Sequence, residues 1–279
     1  MRLFFALACL PLCLPSATSV VRQDTPPPRY DLRIAEGSAL ELRAAWEPYG
    51  RSKYGLFEST PALRSPVLAR EREFYSGEVF RAFLPSGPVA LGEVWRVESS
   101  AVLALLRQFH AGATLKSSEK GEAPGTYACL RAVSADAIEI LLRAHAVFEL
   151  EDDVIYKPAQ FEGRLVLERE SGALRAFHLE LPTRDPNADV TRRATTRRPT
   201  PRADIGWVPR MELSSGDRPI FDWLHQVPDE EARLALRRAF YTFAALDWLP
   251  FEQAVLRSRE TQKPLHLVVL LGALDDDSC

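Results

Sequence analysis

Short runs of alternating apolar and polar residues are concentrated in the middle of the chain. Alternation with a period of two is typical of strands that have one buried face. Glu170, Ser171 and Gly172 separate two of these runs and predict a hairpin turn. We therefore expect an antiparallel region here. Its predicted strands are Tyr127–Val133, Ala146–Leu150, Arg164–Arg169 and Arg175–Leu181.

Apolar residues spaced by three or four positions predict helices on both sides of this region. Ala101–Phe109 follows two serines that can cap a helix. Pro228–Phe240 begins with acidic residues, which favour a helix N-terminus. Phe251–Glu260 follows Pro250, and proline suits the first helical turn. Ser38–Tyr49 is predicted as a further short helix.

The remaining segments complete an α+β prediction. Pro182–Ala203 is polar and rich in Arg and Pro, which predicts a long loop, and Ile205–Leu213 is expected to return to the sheet. The apolar run Leu265–Leu271 is short enough to be a buried strand, with His266 packed inside it. The expected fold is thus an antiparallel β-rich middle region with flanking helices, followed by one more helix and strand.

The composition is that of a globular protein with a substantial core. The chain has 279 residues, of which 46 % are hydrophobic and 26 % are charged. A formal net charge of -3 provides no attraction to nucleic acid, so no nucleic-acid partner is expected. Five arginines cluster in the predicted loop without interleaved aromatic residues, which favours a solvated loop over an anion-binding surface. They are Arg192, Arg193, Arg197, Arg198 and Arg202.

The N-terminus has the pattern of a secretory signal peptide. Arg2 precedes the apolar run Leu3–Leu14, and Ala17–Ser19 offers small residues for cleavage. The run is shorter than the roughly 20 residues that a membrane-spanning helix needs. We expect cleavage after Ser19 and export to a periplasm or another extracytoplasmic space. No other transmembrane span is expected, and an uncleaved anchor is the alternative.

These patterns divide the chain into five segments. Residues 1–19 are the predicted signal peptide and 20–29 an extended leader. An α+β domain is expected over 30–213, a helical connector over 214–249, and the start of another domain over 250–279.

Signal cleavage would leave two cysteines, Cys129 and Cys279. Two cysteines do not form a disulfide scaffold, and either one bridge or two free thiols fit the sequence. Cys129 lies in a predicted strand, which favours a core residue over a resolving thiol. Cys279 follows the acidic run Asp275–Asp277, which is expected to raise the pKa of its thiol by like-charge repulsion. Cys279 is the candidate catalytic residue, and an incidental cysteine on an acidic tail is the alternative.

Metal-binding patterns are weak in this sequence. Asp185, Asn187 and Asp189 have the first spacings of a calcium loop, but Val190 and Thr196 replace its glycine and its bidentate glutamate. A polar loop is therefore favoured, and no metal site and no cofactor-binding residue is predicted. The five histidines also lack zinc-type spacing. They are His110, His145, His178, His225 and His266.

Several segments of the chain resemble the selenoprotein N family. In that family a Gly-Ala-Leu-Asp-Asp-x-Ser-Cys segment is followed immediately by selenocysteine, and Gly272–Cys279 is similar to it. Two further C-terminal segments and three segments of the middle region share the resemblance. These are Phe251–Ala254, Lys263–His266, Phe161–Arg164, Asn187–Asp189 and Ile205–Glu212.

The resemblance implies a thiol or selenol oxidoreductase that acts on a protein thiol or disulfide. Residues 250–279 would then begin a thioredoxin-like domain, with Cys279 followed by a selenocysteine in the complete protein. The sequence would stop at the selenocysteine codon, and the chain as given would be inactive or nearly so. The alternative is a non-catalytic exported binding or structural module built on Tyr127–Leu213, in which Cys279 is incidental.

Overall fold

Seventeen strands and five helices occupy the part of the chain that this computed structural model describes, namely residues 27–117, 125–216, 219–241 and 249–267. Every strand pair in these ranges is antiparallel. The expected α+β fold with an antiparallel β-rich region is therefore confirmed.

The large sheet has nine strands. Their order is β17-β8-β9-β12-β13-β16-β2-β4, with β6 also paired to β8. The strands are β2 (Ala39–Trp46), β4 (Arg72–Ser76), β6 (Val94–Val97), β8 (Thr126–Val133), β9 (Ala137–Ala144), β12 (Phe161–Glu168), β13 (Leu174–Glu180), β16 (Met211–Ser214) and β17 (His225–Gln226).

The small sheet has six strands in the order β3-β15-β14-β11-β10-β7. They are β3 (Arg51–Ser52), β7 (Thr114–Lys116), β10 (Val147–Glu149), β11 (Val154–Pro158), β14 (Ala188–Arg192) and β15 (Arg202–Trp207). A separate pair consists of β1 (Arg29–Tyr30) and β5 (Val89–Ala90).

The helices in the described ranges are short. They are α1 (Pro61–Arg64), α2 (Gly77–Arg81), α3 (Ser99–Leu106), α4 (Asp229–Phe240) and α5 (Phe251–Thr261). Among these five, none has the length and apolar character needed to span a membrane.

The two sheets pack against each other around an aromatic core. Trp46 of β2 stacks on Tyr156 of β11, with ring centroids 5.7 Å apart, and lies 6.2 Å from Phe148 of β10. Phe57, in the connection after β3, meets Tyr156 edge to face. Since each such ring buries a large apolar surface, these contacts hold the sheets together.

The opposite face of the large sheet, called the outer face below, is covered in part by α4. Ala232 and Leu236 of this helix pack on Cys129 of β8 and Leu141 of β9. All eight residues of β9 are buried because the core lies on one side of this strand and the helix on the other.

The hairpin between β12 and β13 agrees with the sequence. Its turn contains Gly172 at a φ of +77°, and a Cβ there would lie 2.5 Å from the carbonyl oxygen of Arg33. Glycine is required here because it adopts a positive φ without strain and has no Cβ to clash with the carbonyl of Arg33. The helices predicted at Ala101–Phe109, Pro228–Phe240 and Phe251–Glu260 are also present, with small changes in their bounds.

Two sequence predictions are wrong. Ser38–Tyr49 contains β2 and not a helix, because Leu42, Ala44 and Trp46 alternate toward the core while the strand pairs with β16 and β4. Pro182–Ala203 is not one loop, because it contains β14, which pairs with β11 and β15.

The strand expected at Leu265–Leu271 is only partly within the described residues. Leu265, His266 and Leu267 have no strand conformation and are exposed, so the prediction that His266 packs in a core strand is wrong. None of the strands in the described ranges pairs with this stretch, which explains its exposure. The remainder, 268–271, lies outside those ranges.

Candidate functional site

The predicted catalytic residue, Cys279, lies outside the described residues. The same is true of Asp275–Asp277 and of the predicted signal peptide, residues 1–19. The redox centre and the cleavage site therefore stay predictions.

Cys129 is a core residue. It lies in β8, is fully buried and packs against Leu141 and α4. Burial raises the pKa of its thiol to about 12, which leaves almost no thiolate at neutral pH. This environment does not suit a resolving thiol.

The segment with the weak calcium-loop spacing, Asp185–Asp189, has a structural role. Asn187 is buried, and its Nδ2 donates to the carbonyls of Pro182 and Val208, each at 2.9 Å. Its Oδ1 accepts the backbone N–H of Val208 at 2.8 Å. Asp185 forms an ion pair with Arg51. The amide of Asn187 therefore connects two chain segments and is not directed at a calcium ion.

The arginine cluster is divided between two strands and the turn that joins them. Arg192 of β14 and Arg202 of β15 lie opposite each other in the small sheet. Arg193 forms an ion pair with Glu149 at 3.3 Å, and Arg202 donates to the carbonyl of Tyr54 at 3.3 Å. At least three of the five arginines thus have structural contacts, since Arg192 also reaches the carbonyl of Ser59.

A network of charged side chains occupies the outer face beside α4. At its centre the carboxylate of Glu139, which is 2 % exposed, accepts hydrogen bonds from Arg131 and from Nη1 of Arg164, the latter at 2.6 Å. The guanidinium of Arg164 also donates to Asp229 at the start of α4, at 3.0 Å.

The network continues along the helix. Arg233 donates to Asp229 at 2.5 Å and to Glu162 of β12, and Arg143 of β9 lies 3.8 Å from the same glutamate. Partial burial opposes the ionisation of Asp229, but Arg233 and Arg164 outweigh it and hold the pKa of this carboxyl below its ordinary value. Four arginines and three carboxylates are thus paired, and the arrangement anchors α4 to the sheet.

A cavity of about 170 Å³ opens between the small sheet and α1. The polar residues of its wall are His110, Glu151, Asp152 and Arg192, together with Thr60, which directly precedes α1. Burial lowers the pKa of His110, with Glu151 partly opposing the shift. Since drug-sized ligands need pockets of roughly 300 Å³ or more, the cavity suits only a small polar molecule.

A third cluster brings together His178, Glu180 and Glu212 on the outer face. One potential ligand atom from each residue lies within 4.8 Å of the others. His178 Nε2 and Glu180 Oε2 are 2.9 Å apart. The sequence analysis missed this cluster because Glu212 is far away in the chain and reaches the other two only through the pairing of β13 with β16.

The network around Glu139 was also missed, although the sequence contains a signal for it. Glu139 and Arg143 interrupt the apolar run Ala137–Ala144 at positions that share one face of a strand. Charged residues on one face of an otherwise buried strand indicate paired charges on that face.

Comparison with known proteins gives three matches, all named Selenoprotein N. The chain is 28 % identical to the Danio rerio protein over an alignment 329 positions long, which covers 91 % of this chain and 58 % of the relative. It is 27 % identical to the Mus musculus protein (74 % of this chain, 47 % of the relative). The match to the Homo sapiens protein is 28 % identical (72 % and 43 %).

The chain spans about half the length of the curated relatives it matches. No family model and no solved structure matches it. The resemblance that the C-terminal and middle segments indicated thus extends over most of the sequence, and these similarities support a selenoprotein N-like family.

Proposed function

We propose that the chain is part of an exported, selenoprotein N-like thiol/selenol oxidoreductase whose redox centre consists of Cys279 and a selenocysteine that follows it. The observation that carries the proposal is the segment Gly272–Cys279, which resembles the family sequence preceding selenocysteine. The name of the matched relatives, Selenoprotein N, agrees with a selenium-containing centre.

The environment of Cys129 supports this choice of centre. Cys129 is the one cysteine within the described ranges, and it is buried with a raised thiol pKa. Thiol chemistry at neutral pH would therefore depend on Cys279 and its neighbour, while the two sheets and α4 act as the scaffold.

The proposed reaction is thiol–disulfide exchange with a protein substrate. In the reducing direction the S–S bond of the substrate breaks, and its two sulfurs take up two electrons and two protons to become thiols. The thiol–selenol pair gives up the same two electrons and two protons, and an S–Se bond forms between its members. A selenol ionises more readily than a thiol, so it would supply the nucleophile beside Asp275–Asp277. The Cys279 thiol would be the second member of the pair.

The experiment is to determine the in-frame codon after Cys279 and to label the product with radioactive selenium. The gene with its downstream sequence would be expressed in a host that inserts selenocysteine. We expect a UGA codon and a labelled product longer than 279 residues. A UGA→UAA variant, which should yield no labelled product, is the matched control. A different codon, or an unlabelled product, would contradict the proposal.

A second candidate is a non-catalytic binding or structural module. It is favoured by the apolar stretch that precedes β17, where Ile220 is 97 % exposed and Leu224 is also exposed. Phe221 and Trp223 of the same stretch pack together on the sheet. If the selenium experiment fails, this exposed stretch is the first surface to examine for a protein partner.

A further inference from the structure

Three glutamates lie side by side across the outer face of the large sheet. Glu162 of β12 pairs with Glu180 of β13, and Glu180 pairs with Glu212 of β16. Like charges directly opposite each other on neighbouring strands destabilise a sheet unless other charges compensate them.

The two flanking glutamates of this row, Glu162 and Glu212, have arginine partners. Glu162 is paired with Arg233 and lies 3.8 Å from Arg143, and Glu212 accepts a hydrogen bond from Arg210 at 2.5 Å. The central glutamate, Glu180, has His178 Nε2 at 2.9 Å from its Oε2 and also interacts electrostatically with Arg233.

His178 and Glu180 are two positions apart on β13, so their side chains point to the same face. Glu212 lies opposite Glu180 and presents its carboxylate to that face from β16. The three side chains are 12 %, 37 % and 20 % exposed in the order His178, Glu180, Glu212. They form a half-buried triangle with one nitrogen and two oxygen ligands, open to solvent on one side.

We propose that His178, Glu180 and Glu212 bind a divalent transition-metal ion of the zinc class. An imidazole with two carboxylates is a ligand set that such ions accept, whereas calcium and magnesium prefer oxygen ligands alone. Two ligand atoms at about 2.1 Å from a metal lie at most ~4.2 Å apart. The three ligand atoms lie within 4.8 Å of one another, so small side-chain rotations would bring them to this separation.

The surrounding charges are compatible with the ion. Arg210 contacts Oε1 of Glu212, and a carboxylate has a second oxygen with which it can bind a metal while it keeps that ion pair. Arg164, which lies opposite His178 in the sheet, directs its guanidinium to Glu139 and Asp229. A bound cation would replace the 2.9 Å contact between His178 Nε2 and Glu180 Oε2 and would offset the like charges of Glu180 and Glu212.

The test is a Zn²⁺ titration of the metal-free full chain by calorimetry. Cys9, Cys13 and Cys279 are first replaced by serine, so that accessible thiolates do not compete for the ion. We expect one Zn²⁺ per chain and a thermal midpoint that rises with Zn²⁺ concentration. With Co²⁺ as the probe, we expect a visible spectrum without thiolate charge-transfer bands.

Two variants and two controls localise the site. His178→Ala and Glu212→Gln should each weaken Zn²⁺ binding by about 10–100-fold or more, the range seen when supporting groups of metal sites are removed. Two substitutions away from the cluster should leave binding unchanged. They are His225→Ala, at an exposed histidine of the same sheet, and Glu168→Gln, at a glutamate of β12 that is paired with Arg175.

Circular dichroism shows whether each variant is folded. If His178→Ala does not fold, the nearly isosteric Glu212→Gln carries the test. The proposal is overturned if the parent chain binds no Zn²⁺ at about 100 μM, if both variants bind like the parent, or if the site takes Ca²⁺ in preference to Zn²⁺.

Discussion

Arg164 of β12 and Asp229 at the start of α4 are joined by a 3.0 Å hydrogen bond between Nη2 and Oδ1. The same guanidinium donates from Nη1 to the buried Glu139. One side chain thus connects two strands of the large sheet to the first turn of a helix that has no side-chain cap of its own. The position of α4 on the sheet therefore depends on charged groups as well as on Ala232 and Leu236.

Replacement of Glu139 by glutamine should destabilise the fold strongly. The change leaves Arg131 and Arg164 without the carboxylate that both contact, and removal of one partner from a buried ion pair costs about 3–5 kcal/mol. Urea unfolding would measure the loss. The amide still fills the site, so the low end of this range is expected.

Glu78→Gln is the matched control for this experiment. Glu78 pairs with Arg81 at 2.7 Å on α2, but both side chains are exposed, and such pairs contribute about 0–1 kcal/mol. If the two substitutions lowered the free energy of unfolding equally, the network around Glu139 would not have the structural role assigned to it.

Cys129 should resist alkylation in the native protein. Its sulfur is buried and the pKa of its thiol is raised to about 12, so both access and thiolate concentration are low. Iodoacetamide labelling followed by peptide mass spectrometry would follow each cysteine separately. Cys129 is expected to react only after addition of denaturant. Rapid native labelling of Cys129 at neutral pH would refute its assignment to the core.

Local sequence patterns were sufficient for elements whose residues interact with near neighbours in the chain. The β12–β13 hairpin follows from Gly172 between two alternating runs, and α4 follows from its spacing and its acidic first turn. The segment that contains β2 has alternation too, but Leu42 and Trp46 are also four positions apart, which a helix would tolerate. Pairing with β4, and with β16 more than 160 residues away, decides in favour of a strand.

The clusters on the outer face could not be predicted for a related reason. The sequence shows that His178 and Glu180 share a face, but the contact with Glu212 requires the register between β13 and β16. The same holds for Arg164 and Asp229, which come together only when α4 packs on the sheet. Cys279, in contrast, was selected from a local motif and lies outside the described residues.

Asp204→Asn should loosen the connection after β3. The buried carboxylate of Asp204 accepts the Ser52 hydroxyl and the backbone N–H groups of Tyr54 and Leu56, each at 2.7 Å. Loss of charge-assisted bonds to a buried group costs about 1–3 kcal/mol, measurable as a lower urea midpoint. Asp31→Asn, at an exposed position, is the control and should have little effect.

The pH dependence of the Asp204 contribution has a defined sign. Burial opposes ionisation, but the Ser52 hydroxyl and the backbone N–H groups outweigh it and lower the pKa of the folded carboxyl below its ordinary value of 3.8. The stabilisation is therefore present above about pH 4 and is lost as the pH falls through the folded pKa. The parent and Asp204→Asn should approach each other in stability at acid pH. A constant difference down to pH 2 would contradict this account.

His110 should make the fold less stable in mildly acidic solution. Burial lowers the pKa of the folded imidazole below 6.5, and its Nδ1 accepts the backbone N–H of Gly112 at 3.2 Å, which requires an unprotonated nitrogen. As the pH falls through about 6.5, the unfolded chain takes up the proton first, so stability decreases until the folded imidazole also titrates. Urea unfolding between pH 7.5 and pH 5 should show this decrease in the parent.

His110→Asn removes the titrating group and should flatten the pH dependence in that window, whatever its effect on stability at pH 7.5. His225→Asn, which removes an exposed histidine of β17, is the matched control for the loss of an imidazole. Identical slopes for the parent and His110→Asn would show that the neutral imidazole beside Gly112 is not what couples stability to pH. A flattened slope restricted to His110→Asn would locate that coupling at the wall of the cavity that His110 shares with Glu151.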